Sequence, residues 1–125
     1  MPRDDFTKPV QEALARRVGF RCSNPRCRAA TVGPAPSEDR FSNNGVAAHI
    51  TAASVGGPRY DATISREARR SIANGIWLCQ NCAHMVDADR LGYPEDLLRQ
   101  WKRFSMTRLR RVAVDGRDER RGRVG

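Results

Sequence analysis

Two short stretches, Gly45-Val-Ala-Ala-His49 and Ile76-Trp-Leu-Cys79-Gln-Asn-Cys82, decide the fold of this 125-residue chain. Each begins as a short, mostly apolar run of the kind that forms a buried strand. The second run continues through two cysteines into Gln80 to Asp87, which fits the beginning of a helix. The sequence therefore predicts two strands followed by a helix, with His49 at the end of the first strand.

Amphipathic helices are predicted on both sides of this unit. The first helix is capped by Thr7 and ended by Gly19, and its apolar residues recur every four positions, at Val10, Leu14 and Val18. The second helix follows Pro94, and its apolar residues lie three or four apart, at Leu97, Leu98, Trp101 and Phe104. Both helices are expected to pack against the strands.

The connecting segments are less regular. Residues 31–45 are rich in Pro, Gly, Ser and Asn and predict a loop, whereas a helix is predicted from Ser65 to Ala73. The segment from Arg108 onward contains seven arginines and three acidic residues, with glycines between them. We therefore predict one domain over residues 1–107 and a basic, flexible tail over residues 108–125.

The charge of the chain points to a polyanionic partner. Its 23 Lys and Arg against 14 Asp and Glu give a formal net charge of +9, and the commonest partner of such a protein is nucleic acid. A solvated basic surface is the alternative. No apolar run reaches the roughly 18 residues of a membrane helix, and the N-terminus lacks the apolar stretch of a signal peptide. We expect a cytoplasmic protein with no membrane partner.

Four cysteines occur as two close pairs that lie far apart in the sequence. Cys79 and Cys82 are separated by two residues, and Cys22 and Cys27 flank an Asn-Pro turn. Two such pairs in a reducing compartment are the arrangement that a tetrahedral four-thiolate zinc site needs. Four thiolates leave no open coordination position for water, so the predicted zinc is structural. Four unrelated buried thiols are the alternative.

The order of these features resembles that of the HNH endonucleases, whose ββα-metal fold presents a general-base His on its first strand. The resemblance is carried by the run from Gly45 to Ala53, the turn from Gly56 to Asp61, and the run from Asn74 to Cys82. The sequence of these residues resembles even more closely one subgroup, the HNH domains that are fused to SAVED sensor domains in cyclic-oligonucleotide anti-phage (CBASS) systems. The resemblance implies an α+β, zinc-stapled ββα-metal domain with flanking helices.

The resemblance also implies roles for two residues. His49 would be the general base that deprotonates the attacking water, assisted by a catalytic Mg²⁺ or Mn²⁺ ion. Asn74 would be a positioning residue whose side-chain amide holds the loop that carries His49. Taken alone, His49 also fits a core histidine, and Asn74 with Gly75 also fits a plain turn. Their joint placement beside the cysteine pair favours the catalytic interpretation.

Two positions depart from the common HNH pattern. Many HNH proteins carry an acid just before the base His and a metal-binding His just after the second cysteine, where this chain has Ala48 and Ala83. Position 87 returns to the same helical face as position 83, so Asp87 is the predicted ligand of the catalytic ion. The alternative for Asp87 is a cap or an ion pair with a nearby arginine. His84 and Asp89 are further candidates, and a plain surface role is the alternative for each of these two.

Four arginines are candidate nucleic-acid contacts. Arg59 follows a Gly-Gly-Pro turn and can meet a phosphate, and Arg108, Arg110 and Arg111 can lie along a duplex backbone. A solvated basic face is again the alternative.

Together with the resemblance, these observations predict an endonuclease that cuts double-stranded DNA. We expect little sequence preference, because no segment of the chain looks like a helix that reads DNA bases. The resemblance implies an anti-phage effector, or its nuclease domain, with a regulatory sensor fused to it or acting in trans. Cutting both strands with one site per chain favours a homodimer or repeated nicking. The rival interpretation, motivated by Ala48 and Ala83, is a non-catalytic zinc module that binds nucleic acid. An RNase on the same scaffold is a third.

Overall fold

A computed structural model describes residues 4–53 and 55–115 and shows an α+β fold. Its helices are α1 (Lys8–Arg17), α2 (Arg66–Arg70), α3 (Gln80–Ala88) and α4 (Glu95–Asp115), with a 3₁₀ turn at Ile72–Asn74. Its strands are β1 (Val32–Pro34), β2 (Phe41–Asn43), β3 (Gly45–His49) and β4 (Gly75–Cys79). None of the helices described is both long enough and apolar enough to cross a membrane.

The two predicted strands pair with each other as an antiparallel sheet. Gly45 of β3 lies opposite Cys79 of β4, and His49 lies opposite Gly75. α3 begins directly after β4, with Cys79 as its N-cap residue. The end of β3 and the beginning of β4 therefore lie side by side, and the cysteines lie at the other end of the pair.

The two faces of the β3–β4 sheet are covered by different helices. On one face, Ala48 and Leu78 belong to a core that includes Val86 of α3 and Leu98 of α4. On the other face, Trp77 packs with residues of α1 and with Phe6, which precedes it. Residues 75–78 are all buried. Burial on both faces explains why β4 is a continuous apolar run rather than an alternating one.

Both predicted ends of α1 are confirmed. The hydroxyl of Thr7 accepts a hydrogen bond from the backbone N–H of Val10 at 3.4 Å. Gly19 has a φ of +62°, the left-handed conformation common just after a helix. A Cβ atom at Gly19 would lie 3.3 Å from the side chain of Leu109. The end of α1 therefore packs closely against α4.

α4 is longer than the sequence predicted. The flexible tail was expected to begin at Arg108, but the helix continues to Asp115. Arginine and leucine are good helix formers, and the contact between Leu109 and Gly19 anchors this part of α4 to α1. The rest of the predicted tail, residues 116–125, lies outside the described residues.

The predicted loop at residues 31–45 contains a β-hairpin, in which Val32 of β1 lies opposite Asn43 of β2. Thr31 joins the two ends of the hairpin and also anchors it to β4. Its carbonyl accepts from the N–H of Asn44, and its hydroxyl accepts from Trp77 Nε1 at 3.0 Å. Because these contacts are non-local, the composition of the segment predicted only a loop.

The helix predicted from Ser65 to Ala73 is divided into two pieces. The Ser65 hydroxyl caps α2 by accepting from the N–H of Ala68 at 3.1 Å. The backbone becomes extended at Ser71, and the 3₁₀ turn that follows ends at Asn74. This break places Asn74 directly before β4, beside the end of β3.

Candidate metal centre and active site

The four cysteine side chains converge on one point, which confirms that the two pairs form one cluster. Their Sγ atoms all lie within 4.8 Å of one another. Tetrahedral zinc, with Zn–S bonds of about 2.3 Å, needs sulfurs about 3.8 Å apart. The Sγ atoms of Cys27 and Cys79 are 3.9 Å apart. Within residues 4–53 and 55–115, this is the one group of three or more His, Cys, Asp or Glu side chains that can hold a metal.

Hydrogen-bond donors are directed at the sulfur atoms. The backbone N–H of Cys82 donates to Cys79 Sγ at 3.4 Å, and the side-chain amide of Asn24 donates to Cys82 Sγ at 3.5 Å. Asn24 also closes the turn between Cys22 and Cys27, because its backbone carbonyl accepts a hydrogen bond from the N–H of Cys27 at 2.9 Å. Donors aimed at sulfur stabilise the thiolate, which is the form that binds metal.

Burial raises the pKa of the Cys22 and Cys82 thiols. Burial acts in the same direction on Cys79, but hydrogen bonds from the backbone and thiol of Cys82 outweigh it and lower the pKa of Cys79. Two buried sulfurs that resist ionisation need a cation beside them to act as ligands. Four thiol sulfurs within 4.8 Å of one another fit a divalent metal such as zinc, and the cluster is a candidate metal centre.

His49 is held by a segment that the sequence did not single out. Its Nε2 lies 2.8 Å from the backbone carbonyl oxygen of Asp4, and its ring stacks on Phe6 with centroids 3.9 Å apart. A carbonyl oxygen can only accept, so Nε2 carries the hydrogen and donates it. In the neutral imidazole, Nδ1 is then the nitrogen with the lone pair, which is the form that a general base requires.

The N-terminal arm, residues 4–6, is itself fixed by several contacts. The N–H of Asp4 donates to the carbonyl of Ala53 at 3.0 Å. The Asp4 carboxylate is paired with Arg66 and Arg69, each at 2.9 Å. The hydrogen bond from Arg69 lowers the pKa of Asp4. The arm therefore connects α2 and the loop after β3 to the ring of His49.

A cleft of about 150 Å³ brings His49 and Asp87 together. Most of its wall consists of small residues from β3 and the loop that follows it. Of the described residues that line it, His49 and Asp87 are the ones with titratable side chains. The side chain of Asp87 is 57% exposed. The candidate base His49 and the Asp87 carboxylate therefore line the same solvent-accessible cavity.

The other candidate ligands do not line this cleft. His84 is exposed on α3 and Asp89 is exposed just beyond it, where its carboxylate accepts from the N–H of Gly92 at 3.0 Å. Ala48 and Ala83, at the positions where many HNH proteins carry ligands, are both 7% exposed and belong to the core. Among the described residues that line the cleft, Asp87 is therefore the one with side-chain oxygens that can bind a catalytic ion.

Arg59 is a correction to the predicted nucleic-acid contacts. Its side chain is only 7% exposed. Its guanidinium donates to the carbonyl oxygens of Ile50, Val86 and Tyr93 and to the Asp87 carboxylate at 3.3 Å. These internal acceptors occupy the group, so Arg59 fixes the loop after β3 to α3 and holds Asp87 rather than meeting a phosphate. The sequence showed a turn here but not the acceptors that surround it.

The other predicted DNA contacts lie along α4. Arg110 is exposed and Arg108 is partly buried. The side chain of Arg111 lies outside the described residues. The arginines of α4 are therefore presented on a helix rather than on a flexible tail.

Asn74 makes the contacts expected of a positioning residue. Its side-chain oxygen accepts from the backbone N–H and the hydroxyl of Thr51, both at 3.0 Å. Its Nδ2 donates to the carbonyls of Thr51 and Arg69, at 3.1 and 3.0 Å. Asn74 is 4% exposed, so these partners are shielded from water. One side chain thus ties the loop after His49 to the end of α2.

Asn74→Ala should therefore destabilise the domain by about 2–3 kcal/mol, because it leaves buried polar groups of Thr51 and Arg69 without partners. Urea unfolding followed by circular dichroism measures the change in the free energy of unfolding. Asn81→Ala is the matched control, since Asn81 is exposed on α3. Equal stability of the two variants would contradict a positioning role for Asn74.

Comparison of the chain with protein-family models and with curated proteins gave no match.

Proposed function

We propose that this chain is a metal-dependent HNH-type endonuclease that hydrolyses DNA phosphodiester bonds with low sequence specificity. The observation that carries the proposal is the shared cleft of His49 and Asp87, with Nε2 of His49 committed to a backbone carbonyl. The order of β3, β4 and α3 and the cysteine cluster beside them are what a zinc-stapled ββα-metal domain would need. The net charge of +9 suits a DNA substrate.

His49 supplies the proton acceptor in this proposal. Hydrolysis requires a water molecule that loses its proton as the oxygen attacks phosphorus, and a neutral imidazole can take that proton at Nδ1. The carbonyl of Asp4 then stabilises the imidazolium, because Nε2–H remains its hydrogen-bond donor. The stacked ring of Phe6 and the Asn74 contacts to Thr51 restrict the movement of the base.

Asp87 would hold the catalytic ion, because the lone pair on Nδ1 of His49 is needed to accept the proton. Mg²⁺ is commonly bound by one or two carboxylates, with waters and substrate phosphate in the remaining positions, so a site with few protein donors suits it. When bound, Mg²⁺ or Mn²⁺ would neutralise charge on the phosphate and on the leaving oxygen. Arg59 pairs with Asp87 at 3.3 Å and keeps this carboxylate at the wall of the cleft.

Asp87→Asn is expected to slow DNA cleavage by on the order of 100-fold, because an amide is a poorer donor to a hard cation than a carboxylate. Raising the Mn²⁺ concentration should recover part of the loss. The measurement is the initial rate of plasmid nicking against metal concentration. Asp89→Asn removes the same charge from a carboxylate outside the cleft and should leave the rate within a few-fold of wild type. Equal rates for the two variants would exclude Asp87 as a ligand.

A non-catalytic zinc module that binds nucleic acid is the second candidate. The observation that favours it is the burial of Ala48 and Ala83 in the core, which leaves Asp87 as the one carboxylate among the described residues that line the cleft. Incubation of supercoiled plasmid with the protein and Mg²⁺, Mn²⁺ or EDTA distinguishes the two. Metal-dependent nicking supports the endonuclease, whereas retardation of uncut plasmid in every lane supports the binding module. Labelled RNA in parallel reactions tests for an RNase.

The biological setting follows from the resemblance to HNH domains of CBASS effectors. We propose an anti-phage effector, or its nuclease domain, controlled by a sensor that is fused to it or acts in trans. Two chains cutting opposite strands, or one chain nicking repeatedly, would produce double-strand breaks.

A further inference from the structure

Two adjoining clefts lie between α1 and α4, away from the residues that line the His49 cavity. Their volumes are about 530 and 340 Å³, both larger than the 150 Å³ cavity at His49. Arg17, Arg103 and Met106 line both clefts, so the two form one continuous groove. We name it the α1–α4 groove.

The α1–α4 groove is strongly basic. Arg99 and Lys102 line one part of it and Arg110 lines the other, in addition to Arg17 and Arg103. Among the described residues, no acidic side chain lines either part. Burial and the nearby charges of Arg17 and Arg99 lower the pKa of Lys102 to about 8. The groove therefore concentrates positive charge, and of the cations named here Arg99 alone is ion-paired within residues 4–53 and 55–115, with Glu95 of the same helix at 3.2 Å.

Two of these cations, Arg17 and Arg103, have a weak partner or none among the residues that the structure describes. Arg17 donates to the thioether sulfur of Met106 at 3.3 Å, and a thioether is a weak acceptor. Arg103 is exposed and has no hydrogen bond or ion pair within the described part of the chain. A guanidinium group that has no strong acceptor within the protein can bind an external anion.

The spacing of the cations along α4 matches an extended polyanion. Arg99, Lys102, Arg103 and Arg110 lie at helical spacings that place them on one face. With a rise of 1.5 Å per residue, the stripe is about 16 Å long. Duplex DNA carries one negative charge per about 1.7 Å of axis with both strands counted, so a stripe of this length can lie opposite several phosphates.

From this geometry we infer that the α1–α4 groove is a second, non-catalytic binding site for the phosphate backbone of duplex DNA. The choice of DNA rests on the proposed function, but binding at the groove requires neither His49 nor a catalytic metal. Backbone contacts of this kind position a duplex without reading its sequence. The groove would hold the substrate while the cleft at His49 acts on it.

The test compares Arg17→Gln/Arg103→Gln with Arg40→Gln/Arg90→Gln. Both double variants lose the same net charge, and the control pair consists of exposed arginines that line neither part of the groove. Fluorescence anisotropy with a labelled duplex and no added divalent metal gives the affinity at several salt concentrations. The groove variant should lose at least about tenfold in affinity near 0.1 M salt, and its log–log salt slope should fall by about two. The control variant should change little.

Equal salt slopes for the two double variants, or no binding of duplex by the wild type, would overturn the inference. Circular dichroism and zinc content of both variants verify that they are folded. The outcome is independent of the nuclease assay. If wild type nicks plasmid but the two double variants have equal salt slopes, the groove is not a DNA-binding site and the proposed endonuclease activity stands. If DNA binding depends on the groove but wild type does not nick plasmid, the groove is a DNA-binding site and the proposed endonuclease activity is wrong.

Discussion

Cys22→Ser is expected to leave the domain unfolded at room temperature. The four sulfurs lie within 4.8 Å of one another, and Cys22 is fully buried among them. Structural zinc contributes about 10–16 kcal/mol in zinc-finger peptides, which is as large as the whole net stability of a typical domain, about 5–15 kcal/mol. Elemental analysis should find one zinc per wild-type chain and almost none in the variant, and the variant should show no cooperative thermal transition.

Ser23→Ala is the control for this experiment. Ser23 is buried beside Cys22, and its hydroxyl makes no hydrogen bond to any residue that the structure describes. Removal of that hydroxyl should leave zinc content unchanged and stability equal or slightly higher. Two results would contradict the prediction that bound zinc stabilises the fold. One is a folded Cys22→Ser variant, and the other is folded wild-type protein with less than half an equivalent of zinc.

His49→Ala is expected to reduce metal-dependent DNA cleavage by roughly 10²–10⁴-fold, the usual contribution of a general base. Affinity for DNA and zinc content should stay near the wild-type values, because the change removes neither the basic groove nor a cysteine. The measurement is single-turnover nicking of plasmid beside anisotropy and metal analysis of the same preparations.

His84→Ala is the matched control, since His84 is exposed and does not line the cleft. It should cut at a rate close to wild type. Cleavage by His49→Ala within a few-fold of wild type would remove the proposed base. Loss of activity in His84→Ala with normal cleavage by Asp87→Asn would instead make His84 the ligand of the catalytic ion.

Local patterns in the sequence predicted the elements that surround the candidate site. β3 and β4 are apolar runs, and α1 and α4 have a clear amphipathic period, so their sequences carry the signal directly. The cysteine pairs predicted a cluster because metal ligation demands that spacing. Asn74 was expected to hold the loop after His49, and its bonds to Thr51 agree with that expectation.

Features that depend on distant residues could not be predicted in this way. Arg59 reads as a surface arginine until the carbonyls of Ile50 and Val86 are seen around it. The contact of Asp4 with His49 joins residues 45 positions apart and uses a backbone carbonyl, which has no signature in the side-chain sequence. The basic groove likewise requires α1 and α4 to be brought together.

The contact between the carbonyl of Asp4 and His49 also bears on how related sequences should be aligned. Any residue can offer a backbone carbonyl at position 4, so substitution there does not by itself remove the acceptor. An insertion or deletion between Phe6 and α1 would shift the whole arm and move the acceptor away from the ring. Related chains that keep this contact should therefore preserve the distance from α1 to the arm more strictly than the identity of the residue at position 4.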